Sequence, residues 1–392
     1  MISVDEALER ILGNAGPLGT ESVSVRRCTG RIPSGDLRAK RTQPPHDVSA
    51  MDGYAVKGDE ALMYNELAVI GEAPAGRPFP GRVGTGQCVR IFTGGILPDG
   101  TDHVIIQEDT ERHENRLTIT ARQSPPEHIR KTGIDFRTGD ILVGADTQLT
   151  AVQAGLLAAA GRSEIQVICR PKVAVFANGD ELSEVENPSA TGTISSTPVT
   201  LCQWVQDWGG EPDYMGISRD NLQSLADVIE QAGKADIIVP LGGASVGDHD
   251  CVKTAFEQAG YGNVFSKIAI KPGKPAWFGY LNGTPILGLP GNPASGLVCA
   301  QVFLKPLIKK LGGQQADPLP FDHIPAARDI DPNGSRAVFH RGFTNEAGQA
   351  VLHPEQDSSL LGTFAKSDIL VFQPGEHSGY AARDLVPVLR LG

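Results

Sequence analysis

The chain has no run approaching the ~20 consecutive apolar residues of a membrane span and no basic stretch ahead of an apolar core. It also lacks any excess of positive charge: 35 Lys and Arg against 46 Asp and Glu leave a formal net charge of -11. That balance argues against nucleic acid or an anionic membrane as the main partner. It leaves room for an anionic small molecule, because a few lysines or Mg²⁺ reverse the field inside one cleft. Six cysteines (Cys28, Cys88, Cys169, Cys202, Cys251, Cys299) contain no CxxC pair, and nine histidines show no HxxxH or HxH spacing. A disulfide framework and a zinc site are therefore not expected, and buried free thiols are. Tandem repeats and low-complexity tracts are absent as well. The expectation is a cytoplasmic protein whose 392 residues make two to four domains.

What is present divides by pattern. Ser3 followed by Glu6 reads as a capping box opening an amphipathic helix with Leu8, Ile11 and Leu12 on one face. Beyond the bend Gln43-Pro44-Pro45-His46, short apolar runs (Leu67–Ile70, Cys88–Phe92, His103–Gln107, Arg116–Ala121) punctuated by Gly and Pro predict a β-rich region with little helix. A helix is expected over Ala151–Ala160. From there strands and helices alternate. Strands are predicted at Val173–Ala177, Ile237–Leu241, Val264–Ile270 and Pro285–Leu289. Helices are predicted around Val199–Trp208, after a capping Asp220, from about Asp250, and over Pro293–Leu311. This alternation predicts a mostly parallel sheet covered on both faces. Past Gln314 short strands (Ala337–His340, Ala350–Leu352, Ile369–Phe372, Leu385–Leu389) predict a small β domain.

Chemistry gathers at the ends of the α/β strands. Gly242-Gly243-Ala244-Ser245-Val246-Gly247 follows a strand and precedes a helix, an arrangement that offers backbone N–H groups and a positive helix end to phosphate. As a lone Gly-rich loop it reads equally well as a tight turn. Asp248 and Asp250 lie just beyond, one suited to capping the helix and one to a metal ion. Lys271-Pro272-Gly273-Lys274-Pro275 holds two ammonium groups on a turn stiffened by proline. Pro290-Gly291-Asn292-Pro293 places Asn292 as a natural N-cap and Pro293 at the first helical position. Gly179-Asp180-Glu181-Leu182 puts two carboxylates at a strand end. Each loop alone is compatible with an ordinary turn or a solvated surface. All four fall where α/β sheets bind ligands, outside the carboxyl ends of strands.

Taken together, SAMDGYAV at Ser49–Val56, RIFTGG at Arg90–Gly95, GDEL at Gly179–Leu182, GGASVGDHD at Gly242–Asp250, AIKPGKP at Ala269–Pro275 and GLPGNP at Gly288–Pro293 resemble the molybdopterin molybdotransferase family, which includes the E domain of gephyrin. The resemblance runs through nearly the whole chain. It implies a multidomain α/β plus β protein: residues 1–45 with 136–168 as a linker and dimerisation domain, 46–135 as a β-rich domain, 169–313 as a doubly wound α/β domain like that of molybdopterin-adenylating proteins, and 314–392 as a C-terminal β-barrel-like domain. It implies a homodimer whose cleft combines the α/β domain with the partner's SAMDGYAV domain, and partners in the molybdopterin-adenylating protein and acceptor molybdoenzymes. The implied reaction takes adenylylated molybdopterin and molybdate, with Mg²⁺, and releases AMP.

Carried over residue by residue, the family's functional acids fall on Asp52, Asp135, Glu181, Asp220 and Asp250, with Glu181 and Asp250 as the Mg²⁺ ligands. Its threonine falls on Thr93, its paired lysines on Lys271 and Lys274, and its loop prolines on Pro290 and Pro293, which flank Gly291 and Asn292. Gly242, Gly243, Ser245 and Gly247 would hold the pterin-side phosphate. The chain departs from the family pattern at Ser196-Thr197-Pro198, where an Asp-x-Asn motif is usual, at Asn178, where threonine precedes GDEL, and at Leu241, where serine is common. These departures keep two alternatives in view: a paralogue that carries molybdopterin without turnover, and an enzyme that adenylylates molybdopterin itself. A scaffold of the gephyrin kind ranks below both, since the chain has no long linker.

Overall fold

Across the described residues, 1–243, 251–315 and 317–391, the computed structural model is mixed α/β with several sheets. Two units separate along the chain. The first comprises Met1–Glu21, Gly30–Ser34 and Val167–Gly392; the second comprises Ser22–Thr29 and Gly35–Gln166.

In the first unit the apolar run Lys172–Asn178 lies inside a six-stranded sheet. The order is Glu211–Ser218, Lys172–Asn178, Ile237–Leu241, Thr284–Gly288, Trp277–Leu281, Gly262–Phe265. The first three pairings in this order are parallel and the last two antiparallel. Side chains alternate with a period of two. Val173, Val175 and Ala177 join one core with Leu201, Val205, Leu297 and Val298 of two helices, while Ala174 and Phe176 join a second with Leu225, Ile229, Val252 and Phe256. Burial on both faces explains why this strand reads as an unbroken apolar run. Because the strands are parallel, Asn178, Ser218, Leu241 and Gly288 end at one edge.

Several expectations need correction. Ser3 does accept a hydrogen bond from the Glu6 N–H, at 3.1 Å, but the Glu6 carboxylate turns to Arg10 at 2.6 Å, so only half of the capping box forms. A complete box stands instead at Thr150 and Gln153, ahead of the helix Ala151–Ala159. Val264–Ile270 is not one strand. Gly262–Phe265 pairs with Trp277–Leu281, whereas Ile270–Lys271 pairs in parallel with Ala337–Thr344 of a different sheet. Asp220 is not a helix cap: Asn221 caps Leu222–Ala232, its side chain accepting from the Ser224 N–H at 2.9 Å.

That different sheet, also in the first unit, runs Ile270–Lys271, Ala337–Thr344, Ile369–Gln373, Leu385–Arg390, Asp322–Pro325, with Ala350–Leu352 paired to Ala337–Thr344. The second unit is built on the order His103–Ile106, Gly53–Val56, Gln87–Ile91, Glu66–Ala73, Arg116–Ile119, Thr110–His113. All its pairings are antiparallel except Glu66–Ala73 with Gln87–Ile91. Among the described residues no helix is long and apolar enough to cross a membrane.

Candidate functional site

A cleft of about 1060 Å³ opens at the carboxyl edge of the parallel strands. Of the residues singled out in the sequence, Glu181, Asp220, Gly242, Gly243, Lys274, Pro290, Gly291, Asn292 and Pro293 line it. Four loops distant in sequence thus meet where the α/β rule places a ligand.

Backbone geometry builds the wall. Gly242 has φ +98°, and a Cβ there would sit 2.7 Å from the Asn178 carbonyl oxygen, so glycine alone lets the chain turn this tightly against its neighbour. Its N–H donates to the Leu289 carbonyl at 3.1 Å, tying the Gly pair to the strand that leads into Pro290. Pro293 takes the expected place in the first turn of the helix Pro293–Cys299. Asn292 is the N-cap by position, but its side chain makes no capping bond; Nδ2 donates to Ser358 Oγ at 3.1 Å instead.

Charge is mixed. Lys267 and Lys274 line the cleft, and among the described residues neither joins an ion pair. Two unpaired ammonium groups in one cleft suit a multiply charged anion. The helix Thr197–Asp207 starts at the same wall, with Ser195, Ser196, Thr197 and Pro198 all lining it and no side chain capping its first turn. Lys271 is not part of this wall. It pairs in register with Val338. Burial pushes the His340 imidazole below its ordinary value, and the charge of Lys271 adds to that depression.

Two of the acids, Asp180 and Asp220, are tied to each other and to Asn178. The Asn178 amide nitrogen donates to Asp220 Oδ1, the Asp180 N–H donates to Asp220 Oδ2 at 3.4 Å, and the Asp220 N–H donates to Asp180 Oδ1 at 3.3 Å. The Asn178 Oδ1 is buried with no partner among the described residues. Glu181 is held through its backbone, its carbonyl accepting from the Thr193 N–H at 2.8 Å. Carboxylate and amide oxygens make a hard donor set, which fits Mg²⁺. Among the described residues no three His, Cys, Asp or Glu side chains gather into a closed cage. Mg²⁺ typically takes one or two carboxylates and keeps the rest of its shell for water and phosphate.

Ser245, Gly247 and Asp250 lie outside the described residues. Asp52, Thr93 and Asp135 belong to the second unit. There Asp52 Oδ1 accepts from the Thr93 N–H at 2.7 Å and from its hydroxyl at 2.8 Å, so SAMDGYAV and RIFTGG meet as one constellation. Ser49, fully buried, adds to it by donating to the Met51 carbonyl at 2.5 Å. Asp135 is exposed.

The Asp52 carboxyl lies below the usual carboxylate range, chiefly through the Thr93 N–H, then its hydroxyl, with Arg90 adding charge. A folded-state value lowered in this way gives stability that is present above the unfolded value, near pH 4, and lost as pH falls through the folded one. Thr93→Val removes the hydroxyl and keeps the N–H. Asp52 is then expected to titrate at higher pH, with the acid limb of the second unit's melting curve moving up accordingly. An unchanged Asp52 titration, followed by NMR, would remove the hydroxyl from this account.

Sequence reasoning did not foresee Lys267 or Ser359. Lys267, four residues before Lys271 at the end of an apolar run, offered a faint signal. Ser359 reaches the cleft from beyond residue 314 and offered none.

Comparison with known proteins adds to this geometry. Residues 2–161 match the model of the MoeA N-terminal region (domain I and II), and residues 174–310 match a probable molybdopterin binding domain. The chain is similar to the molybdopterin molybdenumtransferase of Haemophilus influenzae, at 35% identity over 99% of this chain and 98% of that one. It is also similar to the Nostoc sp. enzyme of that name, at 37% identity over 75% of this chain and 70% of the relative. A crystal structure of a molybdopterin biosynthesis MoeA protein from Pyrococcus horikosii superposes with a TM-score of 0.88 at 29% identity, covering 100% of this chain and 99% of that one.

Proposed function

Since the chain belongs to the molybdopterin molybdenumtransferase family, we propose that it inserts molybdate into adenylylated molybdopterin and releases AMP. The observation that carries this reading is the cleft itself, where Lys267 and Lys274, which join no ion pair among the described residues, line the same pocket as Glu181 and Asp220 at the carboxyl edge of the sheet. Both substrates are anions, and both need fixed positive charge where negative charge gathers.

Within the cleft Lys274 and Lys267 neutralise the phosphoanhydride or the molybdate. Gly242, whose N–H is engaged by the Leu289 carbonyl, shapes the wall, while the N–H of Gly243 and the first turn of Thr197–Asp207 hold phosphate oxygens. Glu181, together with Asp250, is assigned to hold Mg²⁺. When bound, that ion would supply charge neutralisation at the anhydride. Asp220 orients the reacting group. Asp52, Thr93 and Asp135 carry the second unit's contribution. Lys271 is assigned a supporting charge, and Ser245 and Gly247 extend the phosphate loop. A homodimer, the four-domain division inferred from the sequence, a cytoplasmic location and an encounter with a molybdopterin-adenylating protein belong to the same reading.

Two incubations separate it from its rivals. Given adenylylated molybdopterin and Mg²⁺, the protein is expected to release AMP only when molybdate is added. Given ATP and molybdopterin, it is expected to transfer no adenylyl group. Adenylyl transfer in the second tube would instead make it the preceding enzyme. Ser196 and Pro198, which line the cleft where the family pattern has Asp-x-Asn, favour one further reading, a carrier, which binding without AMP release would support.

A further inference from the structure

We propose that Asn178 is a positioning residue that holds the Asp220 carboxylate at the cleft, an inference that rests on the assignment of Asp220 to the reaction. Asn178 ends the strand Lys172–Asn178, is 7% exposed, and lines the cleft beside Asp220. A carboxylate only accepts hydrogen bonds, so the amide must turn its NH₂ to Asp220 Oδ1 and its carbonyl away. That carbonyl oxygen is buried and has no partner among the described residues. A residue kept for stability alone has no reason to retain such a cost, and unpaired buried polar atoms of this kind concentrate where a group is being placed.

Asp220 needs placing. It follows Glu211–Ser218, an edge strand paired on one side only, and it takes no part in capping the next helix. Its other side-chain contact, from the Asp180 N–H, is long at 3.4 Å. Asn178 is well suited to anchor it. Its strand is paired on both sides, and the Gly242 turn packs directly against its carbonyl. The amide therefore ties a carboxylate that follows an edge strand to a strand paired on both sides.

The test uses the full chain and five variants: Asn178→Ala, Asp220→Asn, the double variant, Asn178→Asp and Asn178→Ser. Molybdate-dependent AMP release gives kcat and KM separately, and melting temperatures are recorded alongside. Asn178→Ala is expected to lower kcat about 10- to 100-fold, the worth of one charge-assisted hydrogen bond, with KM nearly unchanged. In the Asp220→Asn background the same change is expected to cost nothing more, because its route of action is already gone. Asn178→Asp sets two carboxylates face to face and is expected to move the acid limb of the rate profile to higher pH. Asn178→Ser keeps a donor, is expected to recover part of the lost kcat, and replaces the alanine variant if that one does not fold.

Losses from Asn178→Ala and Asp220→Asn that multiply in the double variant would overturn the inference, as would a lowered melting temperature with wild-type kcat. A wild-type chain that releases no AMP would instead remove the reading on which it rests. An active wild type with independent losses removes this inference alone.

Discussion

Glu181→Gln is expected to lower molybdate insertion by about 100- to 1000-fold, the range seen when one preorganised electrostatic group is removed from a reacting centre. The substitution keeps the side chain's size and removes its charge and one of its two acceptor oxygens. Glu181 lines the cleft, and the contacts that hold its loop are made by backbone: Leu182 N–H to the Gly179 carbonyl at 3.2 Å and Thr193 N–H to the Glu181 carbonyl at 2.8 Å. Neither depends on the carboxylate, so the melting temperature is expected to stay at the wild-type value. AMP release at saturating Mg²⁺ measures the loss. Retention of more than about a tenth of the wild-type rate would show that Glu181 supplies less than one preorganised electrostatic group is worth.

The second large effect is on the fold. Gly53→Ala is expected to destabilise the second unit by about 4 kcal/mol, near the upper end for single substitutions. Gly53 pairs with Ile91 on one side and Ile106 on the other. A Cβ there would lie 2.0 Å from the Ile105 carbonyl oxygen and 2.9 Å from its carbon. Both are backbone atoms of a paired strand, so no rotamer relieves the clash and the strands must part. Asp52, next in the chain, would lose its alignment with Thr93 as they do. Calorimetry is expected to show the transition of the second unit moved down while that of the first stays in place. A single unshifted transition would mean that the sheet can yield at Gly53.

These expectations draw on a site that the sequence exposed unevenly. GDEL, the Gly pair and PGNP were legible because each is a Gly or Pro punctuation after a buried apolar strand, and a parallel sheet sends such loops to one edge. Glu211–Ser218 was not foreseen. As an edge strand carrying Pro212 and Gly216 amid polar residues, it has neither the apolar run nor the strict alternation that marks a strand. Val264–Ile270 misled for the opposite reason. Its apolar residues are continuous, yet Phe265 serves one sheet and Ile270 another, and nothing local marks the break. That break is also why Lys271 and Lys274 part company, one pairing beside Val338 and one lining the cleft.

Capping residues show the same limit at smaller scale. Asp220 and Asn221 are equally good caps by type. Asn221 takes the helix because Asp220 is engaged by Asn178, 42 residues away. No rule of sequence spacing could supply that partner. Asp52 and Thr93 were each singled out only through family resemblance, since an Asp before a Gly otherwise reads as a turn, and their contact was not foreseen.

Molybdenum is expected to go onto molybdopterin in this protein as AMP leaves. A single-turnover incubation of the purified chain with adenylylated molybdopterin, Mg²⁺ and molybdate tests it most directly, with AMP and protein-bound molybdenum both counted per chain. The account predicts that the two rise together and in equal amounts, and that neither rises without molybdate. Bound nucleotide that stays intact in the presence of molybdate would contradict it, and would make the protein a carrier of the cofactor.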